Sequence, residues 1–187
     1  MMKKLMFAIS AVFAMAATAE MKLGTVDLML LVKNHPNYES NKTLLTTTDK
    51  DYKKKLDDIK SEGDKLQEEG KRVMEQMRNP MLTAKAKVDI EKQLGDIQQK
   101  LMAIEQRYRS EAMRSRQDLQ DLEARLLRTT TDDLRKHIAK YASAKGYDLI
   151  VDLNAAAYAT PTLDVTDEML KELGVDPKQA RGRDEGK

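Results

Sequence analysis

The sequence predicts a mainly α protein in which a long antiparallel helical hairpin, a coiled-coil arm, projects from a small β-containing body. Apolar residues recur at alternating spacings of four and three on both sides of Pro80, which is the heptad spacing of a coiled coil. Two short β-type segments, 22–27 and 147–153, lie on either side of the helical region and would meet at its base. The two seams consist of Tyr52, Leu56, Ile59, Gly63, Leu66 and Gly70, and of Ile90, Leu94, Ile97, Leu101, Ile104 and Tyr108.

The bend of the hairpin is predicted at residue 80. Asn79 can cap a helix, and Pro80 suits the first helical position, where its missing N–H costs nothing. We therefore expect the second helix to begin at Pro80. Pairing the two seams outward from that point places Gly63 opposite Ile97, and Gly70 opposite Ile90.

The remaining boundaries follow from the ends of the apolar pattern. The arm covers 41–119, so that each helix is about 60 Å long at about 1.5 Å per residue. The segments 20–40 and 120–173 form the body, in which Ala155–Tyr158 extends the second strand or adds another. Thr166 is expected to cap a last short helix that Gly174 ends, and the polar tail 174–187 is expected to be disordered.

The first nineteen residues have the pattern of a secretory signal peptide. Lys3 and Lys4 precede an apolar run over 5–17, and the Ala-Thr-Ala that ends at Ala19 is typical of a cleavage site. A membrane anchor is the alternative, but it needs about 18 or more apolar residues. We expect an exported protein whose mature chain begins at Glu20 and which, having no cysteine, forms no disulfide.

Composition narrows the class of function. The chain is 34% charged and only 4% aromatic, which suits long helices better than a compact enzyme core. Without Lys3 and Lys4 it carries as many basic as acidic residues. A neutral mature chain argues against general nucleic-acid binding.

The sequence offers no catalytic or metal-binding motif. His35 and His137 have no cysteine or second histidine at ligand spacing. Asp27, Asp148 and Asp152 cluster at strand ends, where aspartate usually makes local hydrogen bonds with the backbone. The sequence therefore predicts a protein that is not an enzyme and that needs no cofactor or metal.

Gly63 and Gly70 occupy the same heptad position in the first seam. Each costs about 1 kcal/mol of helix propensity relative to alanine. Two interpretations stay open: the glycines allow large isoleucines to pack against bare backbone, or they make the arm flexible.

The arm also carries candidate binding residues. Methionine side chains repack for different partners, and a basic tip attracts acidic chains or anionic lipid headgroups. The structural alternative is that the methionines complete the apolar seam and that the basic residues lie on a solvated helix face. For Met77 we favour a place in the seam. The candidates are Met74, Met81, Met102, Met113, Lys71, Arg72, Arg78, Lys85, Lys87 and Lys92.

The body is too small to be stable alone, because two or three short strands bury little surface. We expect copies of the chain to associate through these strands, in a ring that sends its arms the same way. The sequence does not fix the number of subunits. The residues predicted to join the bodies are Val26, Leu149, Ile150 and Val151.

The segments 146–158 (GYDLIVDLNAAAY) and 164–170 (DVTDEML), together with the KLGTVD strand, the charged hairpin and the signal peptide, resemble the Skp/OmpH family of periplasmic chaperones. The resemblance implies a homotrimer whose arms hold unfolded outer-membrane proteins without ATP and prevent their aggregation. Members of the family are often strongly basic, whereas this mature chain is neutral, so lipopolysaccharide binding is not carried over. A periplasmic scaffold that binds one specific folded partner is the alternative.

Overall fold

The computed structural model describes residues 20–184, and the predicted signal peptide lies outside these residues. Two long helices dominate the fold, and the remaining elements gather at one end of them. In chain order the elements are β1 (Leu23–Val26), α1 (Leu28–Lys33), α2 (Tyr38–Met77), α3 (Ala84–Lys145), β2 (Leu149–Asp152), α4 (Thr166–Glu172) and α5 (Pro177–Asp184), with single 3-10 turns at Leu153–Ala155 and Pro161–Leu163.

The predicted hairpin is confirmed, with α2 and α3 as its two antiparallel helices. α2 has 40 residues, about 60 Å at 1.5 Å per residue. α3 has 62 residues and continues past the start of α2 into the body. Gly146 ends α3 in the left-handed conformation, with φ of 70°, which glycine adopts without strain.

The prediction that the second helix begins at Pro80 is wrong, because α3 begins at Ala84. The Asn79 side chain accepts the Met81 N–H at 3.0 Å and so stabilises a turn instead of a helix start. The cap is Thr83, whose hydroxyl accepts the Ala86 N–H at 3.2 Å.

The predicted pairing across the seam is wrong by one heptad. A Cβ at Gly63 would lie 3.4 Å from Cγ2 of Ile104, and a Cβ at Gly70 would lie 3.4 Å from Cγ2 of Ile97. A shift of seven residues leaves a heptad pattern unchanged, so the apolar spacing fits both pairings equally well. The later start of α3 selects the observed one.

The two predicted strands are confirmed and form a parallel pair, with Leu23 beside Leu149 and Val26 beside Asp152. Gly24 permits a close approach on this sheet. A Cβ there would lie 3.1 Å from the Tyr147 ring and 3.3 Å from Ile150, tighter than ordinary contacts.

The possible extra strand at Ala155–Tyr158 does not form, since 153–155 is a 3-10 turn and the next residues are irregular. A single bridge joins Thr25 to Asp164 at the other edge of β1, and the Val165 N–H donates to the Thr25 carbonyl at 2.9 Å. In the described part of the chain, β2 pairs with β1 alone.

The body has its own apolar core beneath the sheet, and Thr166 closes one end of it. Thr166 is the first residue of α4, not its cap, and it is fully buried. Its hydroxyl accepts the Asp27 N–H at 2.9 Å and hydrogen-bonds to the Asp164 carboxylate, which ties α4 to the end of β1. The buried core comprises Val26, Leu30, Leu31, Val32, Leu134, Val165, Met169, Leu170 and Ala180.

The prediction of a disordered tail is wrong for Pro177–Asp184, which form α5 and pack onto this core. Gly174 ends α4 as expected and turns the chain with φ of 76°. The Asp176 carboxylate then accepts the Lys178 N–H at 2.9 Å, and Pro177 opens the new helix. Ala180 is 1% exposed, and Arg181 Nη2 lies 2.7 Å from Asp167 Oδ1. A small buried residue and the ion pairs of Arg181 with Asp167 and Asp164 dock a helix that has almost no apolar residues.

Candidate functional site

The four candidate methionines are all exposed on the arm. Met81 at the tip is 87% exposed and Met113 is 76% exposed, with Met74 and Met102 slightly above one half. Met77 instead packs with the seam cluster at the tip, as the sequence favoured. The arm thus presents flexible apolar side chains to solvent at several heights.

The six candidate basic residues at the tip are also exposed. Lys71 lies 2.6 Å from Glu68, and this hydrogen bond and charge raise the pKa of Lys71. Arg72 Nε donates to the Glu68 carbonyl at 3.4 Å. The others form no ion pair with any residue of 20–184: Arg78, Lys85, Lys87 and Lys92.

On one side of the arm, ion pairs join the two helices. Arg107 Nη2 lies 2.7 Å from Glu62 Oε2, and Lys55 Nζ lies 2.5 Å from Glu111 Oε1. Lys55 and Glu62 are one heptad apart, so both pairs cross the seam on the same side. We call this the ion-paired side.

The other side of the arm contains a groove of about 530 Å³ at mid-length. It exists because Gly63 has no side chain between the two helices. Leu101 and Ile104 form its floor, and Tyr108 and Met102 stand at its edge. We call this hollow the mid-arm groove, and the side on which it opens the groove side.

The sequence did not reveal this difference between the two sides. Charges that flank a seam were visible, but which ones meet across it depends on the register, and the register was predicted one heptad away. The observed pairing brings Glu62 to Arg107, and Gly63 to Ile104.

The four residues predicted to join the bodies do not share one environment. Val26 is 3% exposed, and its side chain packs in the core of its own body. It lies at the end of β1 and faces α4 and the core, a position that strand alternation alone did not distinguish. Ile150 is half-buried against the same core. Leu149 and Val151 are exposed, and Leu149 lies beside the exposed Leu23.

A long helical hairpin on a small two-stranded β body is consistent with one known protein family. The family model described as outer membrane protein (OmpH-like) matches residues 22–173. The chain belongs to the OmpH-like family. No curated protein sequence matches it.

OmpH-like membership places the chain among periplasmic chaperones of outer-membrane proteins, a family that is not enzymatic. The match ends within the turn that follows α4, so α5 lies outside it.

The histidines of this OmpH-like chain lie at the base of the arm. His35 is buried, and its Nε2 lies 3.2 Å from Asp133 Oδ2. Its Nδ1 accepts the Asn37 N–H at 3.2 Å, which holds the turn into α2. His137 lies 3.9 Å from the same Asp133 carboxylate. The contact between His35 and Asp133 fastens the turn into α2 to α3, whereas His137 and Asp133 both lie on α3.

Two of the three aspartates at the strand ends, Asp27 and Asp152, make the local hydrogen bonds that the sequence predicts, whereas Asp148 bonds to a residue distant in sequence, just before β1. Asp27 accepts the Leu30 N–H and caps α1, Asp148 accepts the Lys22 N–H, and Asp152 accepts the Asn154 N–H. Over residues 20–184, no group of three acidic or histidine side chains is placed to hold a metal ion. Among the helices of this same range, none is long and apolar enough to cross a membrane.

Proposed function

We propose that this OmpH-like protein is an ATP-independent periplasmic holdase, which binds unfolded outer-membrane proteins between its helical arms and prevents their aggregation. Family membership supports the class of chaperone. The observation that carries the proposal is the arm itself: a pair of helices about 60 Å long with exposed methionines along it.

The chemistry of holding follows from these side chains. Methionine is unbranched and polarisable, so it adapts to whichever apolar side chain it meets. Each contact of this kind is weak, but many of them together prevent an unfolded chain from aggregating with other unfolded chains. The bound chain stays mobile. No step needs nucleotide hydrolysis, because the client leaves when its own folding offers more apolar burial.

Trimerisation supplies the space that the arms enclose. An unpaired strand edge with exposed apolar side chains is a template for pairing with another chain. β2 has such an edge, with Leu149 and Val151 on it. Three bodies joined there send three arms in one direction, as the resemblance implies.

The glycines of the first seam serve flexibility in this proposal. Gly63 and Gly70 each leave only ordinary contact distance, 3.4 Å, to an isoleucine of α3. Alanine would therefore fit at both positions, so close packing alone does not require glycine. An arm that bends there accepts clients of different size.

Export and surface contacts complete the proposal. Residues 1–19 act as a cleaved signal peptide, and the mature chain works in the periplasm. The unpaired basic residues of the tip, such as Arg78 and Lys85, attract anionic lipid headgroups or acidic client segments.

Light scattering tests the function. An unfolded outer-membrane barrel, diluted from denaturant into buffer without nucleotide, is expected to aggregate alone and to stay clear with a molar excess of trimer. A scaffold for one folded partner, the alternative function, would leave the scattering of the barrel unchanged.

A further inference from the structure

The floor of the mid-arm groove is apolar and accessible from solvent. Gly63 leaves the space, Leu101 and Ile104 lie beneath it, and Tyr108 is 39% exposed at the edge. A volume of about 530 Å³ has room for a large aliphatic or aromatic side chain. The groove is therefore a place where one apolar side chain leaves water.

The rim of the groove is electrically balanced. Lys60 and Asp64 carry opposite charges four residues apart, and Glu105 is paired with Arg109 at 2.5 Å. A charged ligand gains nothing from such a rim, in contrast to the basic tip. Charge complementarity thus favours an occupant without net charge.

Two amides flank the groove, Gln67 on α2 and Gln98 on α3. Each amide offers both hydrogen-bond donors and an acceptor. A peptide backbone has groups that can pair with these amides, since each residue offers one N–H donor and one C=O acceptor. An apolar side chain in the groove would bring its own backbone to these two amides.

The groove side continues as an adaptable apolar surface. Met102 stands at the groove, and Met113 lies eleven residues further along α3, three turns away on a similar face. Met74 lies one heptad from Gln67, toward the tip. The opposite side is the ion-paired side, so the two sides differ in chemistry along the middle of the arm.

We propose that the mid-arm groove is the anchoring subsite for one bulky apolar side chain of an unfolded outer-membrane protein, a role that rests on the holdase function. Transmembrane β-strands alternate apolar and polar residues and carry few charges on their apolar face. A segment of that kind places one apolar side chain in the groove and its backbone between Gln67 and Gln98. The methionines of the groove side then hold its neighbours.

Photo-crosslinking compares the two sides of the arm at one height. Benzoylphenylalanine is introduced in place of Gln98, on the groove rim, or of Lys100, which is one heptad from Arg107 and lies on the ion-paired side. The probe is a denaturant-unfolded outer-membrane barrel diluted into the intact trimer. Severalfold more crosslinked barrel is expected from position 98 than from position 100.

The second measurement is the binding of the barrel to a variant whose groove is filled. Gly63→Leu places an apolar side chain in the hollow, and binding of the barrel is expected to weaken about tenfold, the effect of withholding one apolar side chain from burial. Ser61→Leu is the control, because it adds the same side chain to α2 two residues away, at an exposed position that does not line the groove. Its binding should change little.

The outcomes separate this proposal from the holdase function. If both crosslinking variants suppress aggregation but label the barrel equally, the groove is not the subsite and the holdase function stands. Equal loss of binding in Gly63→Leu and Ser61→Leu would contradict the groove in the same way. If the unmodified protein does not suppress aggregation and neither crosslinking variant labels the barrel, both proposals fail.

Discussion

At the scale of single residues, the free space around a glycine indicates whether packing requires glycine at that position. Gly24 makes room for a ring that two neighbours hold in place, since Tyr147 stacks on Tyr141 at 5.9 Å and lies under Lys22 Nζ at 4.1 Å. Gly95 lies on the exposed face of α3 with no atom within 4 Å of a Cβ. The first glycine is required by packing, and the second is not.

Alanine at these two positions should have opposite effects. Gly24→Ala should lower the free energy of unfolding by about 1–3 kcal/mol, because Tyr147 and Ile150 must move to accept the methyl group. Gly95→Ala should raise it by up to about 1 kcal/mol through helix propensity. Denaturant unfolding of both variants measures the two changes. A Gly24→Ala protein as stable as the parent would show that the ring moves freely.

At the scale of elements, the heptad pattern predicted both long helices, and the two β-type segments predicted the strands and their location at the base. The register could not be predicted, because a seven-residue shift preserves the pattern and the turn chemistry decides it. Asn79 and Pro80 resemble a helix start, yet Thr83 is the cap. Helix α5 was missed because its docking relies on Ala180 alone among apolar residues, although Asp176 and Pro177 were a readable start signal.

Cysteine pairs test the observed register. Gly63→Cys with Ile104→Cys should form an intramolecular disulfide on oxidation, because the backbone brings the two side chains together. Gly63→Cys with Ile97→Cys, one heptad away, is the control and should stay reduced. Mobility in nonreducing electrophoresis reads out both. Preferential crosslinking of the second pair would restore the pairing predicted from the sequence.

Docking of α5 can be tested with two adjacent substitutions. Ala180→Asp buries a carboxylate at a site that is 1% exposed and should lower the free energy of unfolding by about 1–3 kcal/mol. Gln179→Asp, on the exposed face, should change it little. Limited proteolysis of the C-terminal segment should follow the same order. Equal protease sensitivity of both variants and the parent would mean that α5 does not dock.

At the scale of the whole molecule, the proposed function assigns assembly to the exposed strand face of the body and client holding to the long arm. Sequence reasoning located the methionines and basic residues of the arm but not the two-sided chemistry at mid-length, which only the helix pairing creates. It also could not tell Val26, buried in its own body, from Leu149 and Val151, which stay exposed.

Assembly is expected to depend on the outward face of β2. The mature chain should have the native mass of a trimer at micromolar concentration. Leu149→Glu should shift the protein toward monomer, because it places a charge in the interface between the bodies. Leu44→Glu is the matched control, since Leu44 on the arm is 47% exposed and Leu149 is 50% exposed. A stable folded monomer of the unmodified protein would contradict the need for partner bodies.

The most direct test of the holdase function is competition between two unrelated unfolded barrels. The first barrel, labelled with a fluorophore, is bound to the protein without nucleotide, and the second is added unlabelled while fluorescence anisotropy is recorded. Adaptable contacts on one shared surface predict that the second barrel displaces the first and that both remain soluble. Binding of only one barrel, unaffected by excess of the other, would contradict the account and identify a scaffold for a specific partner.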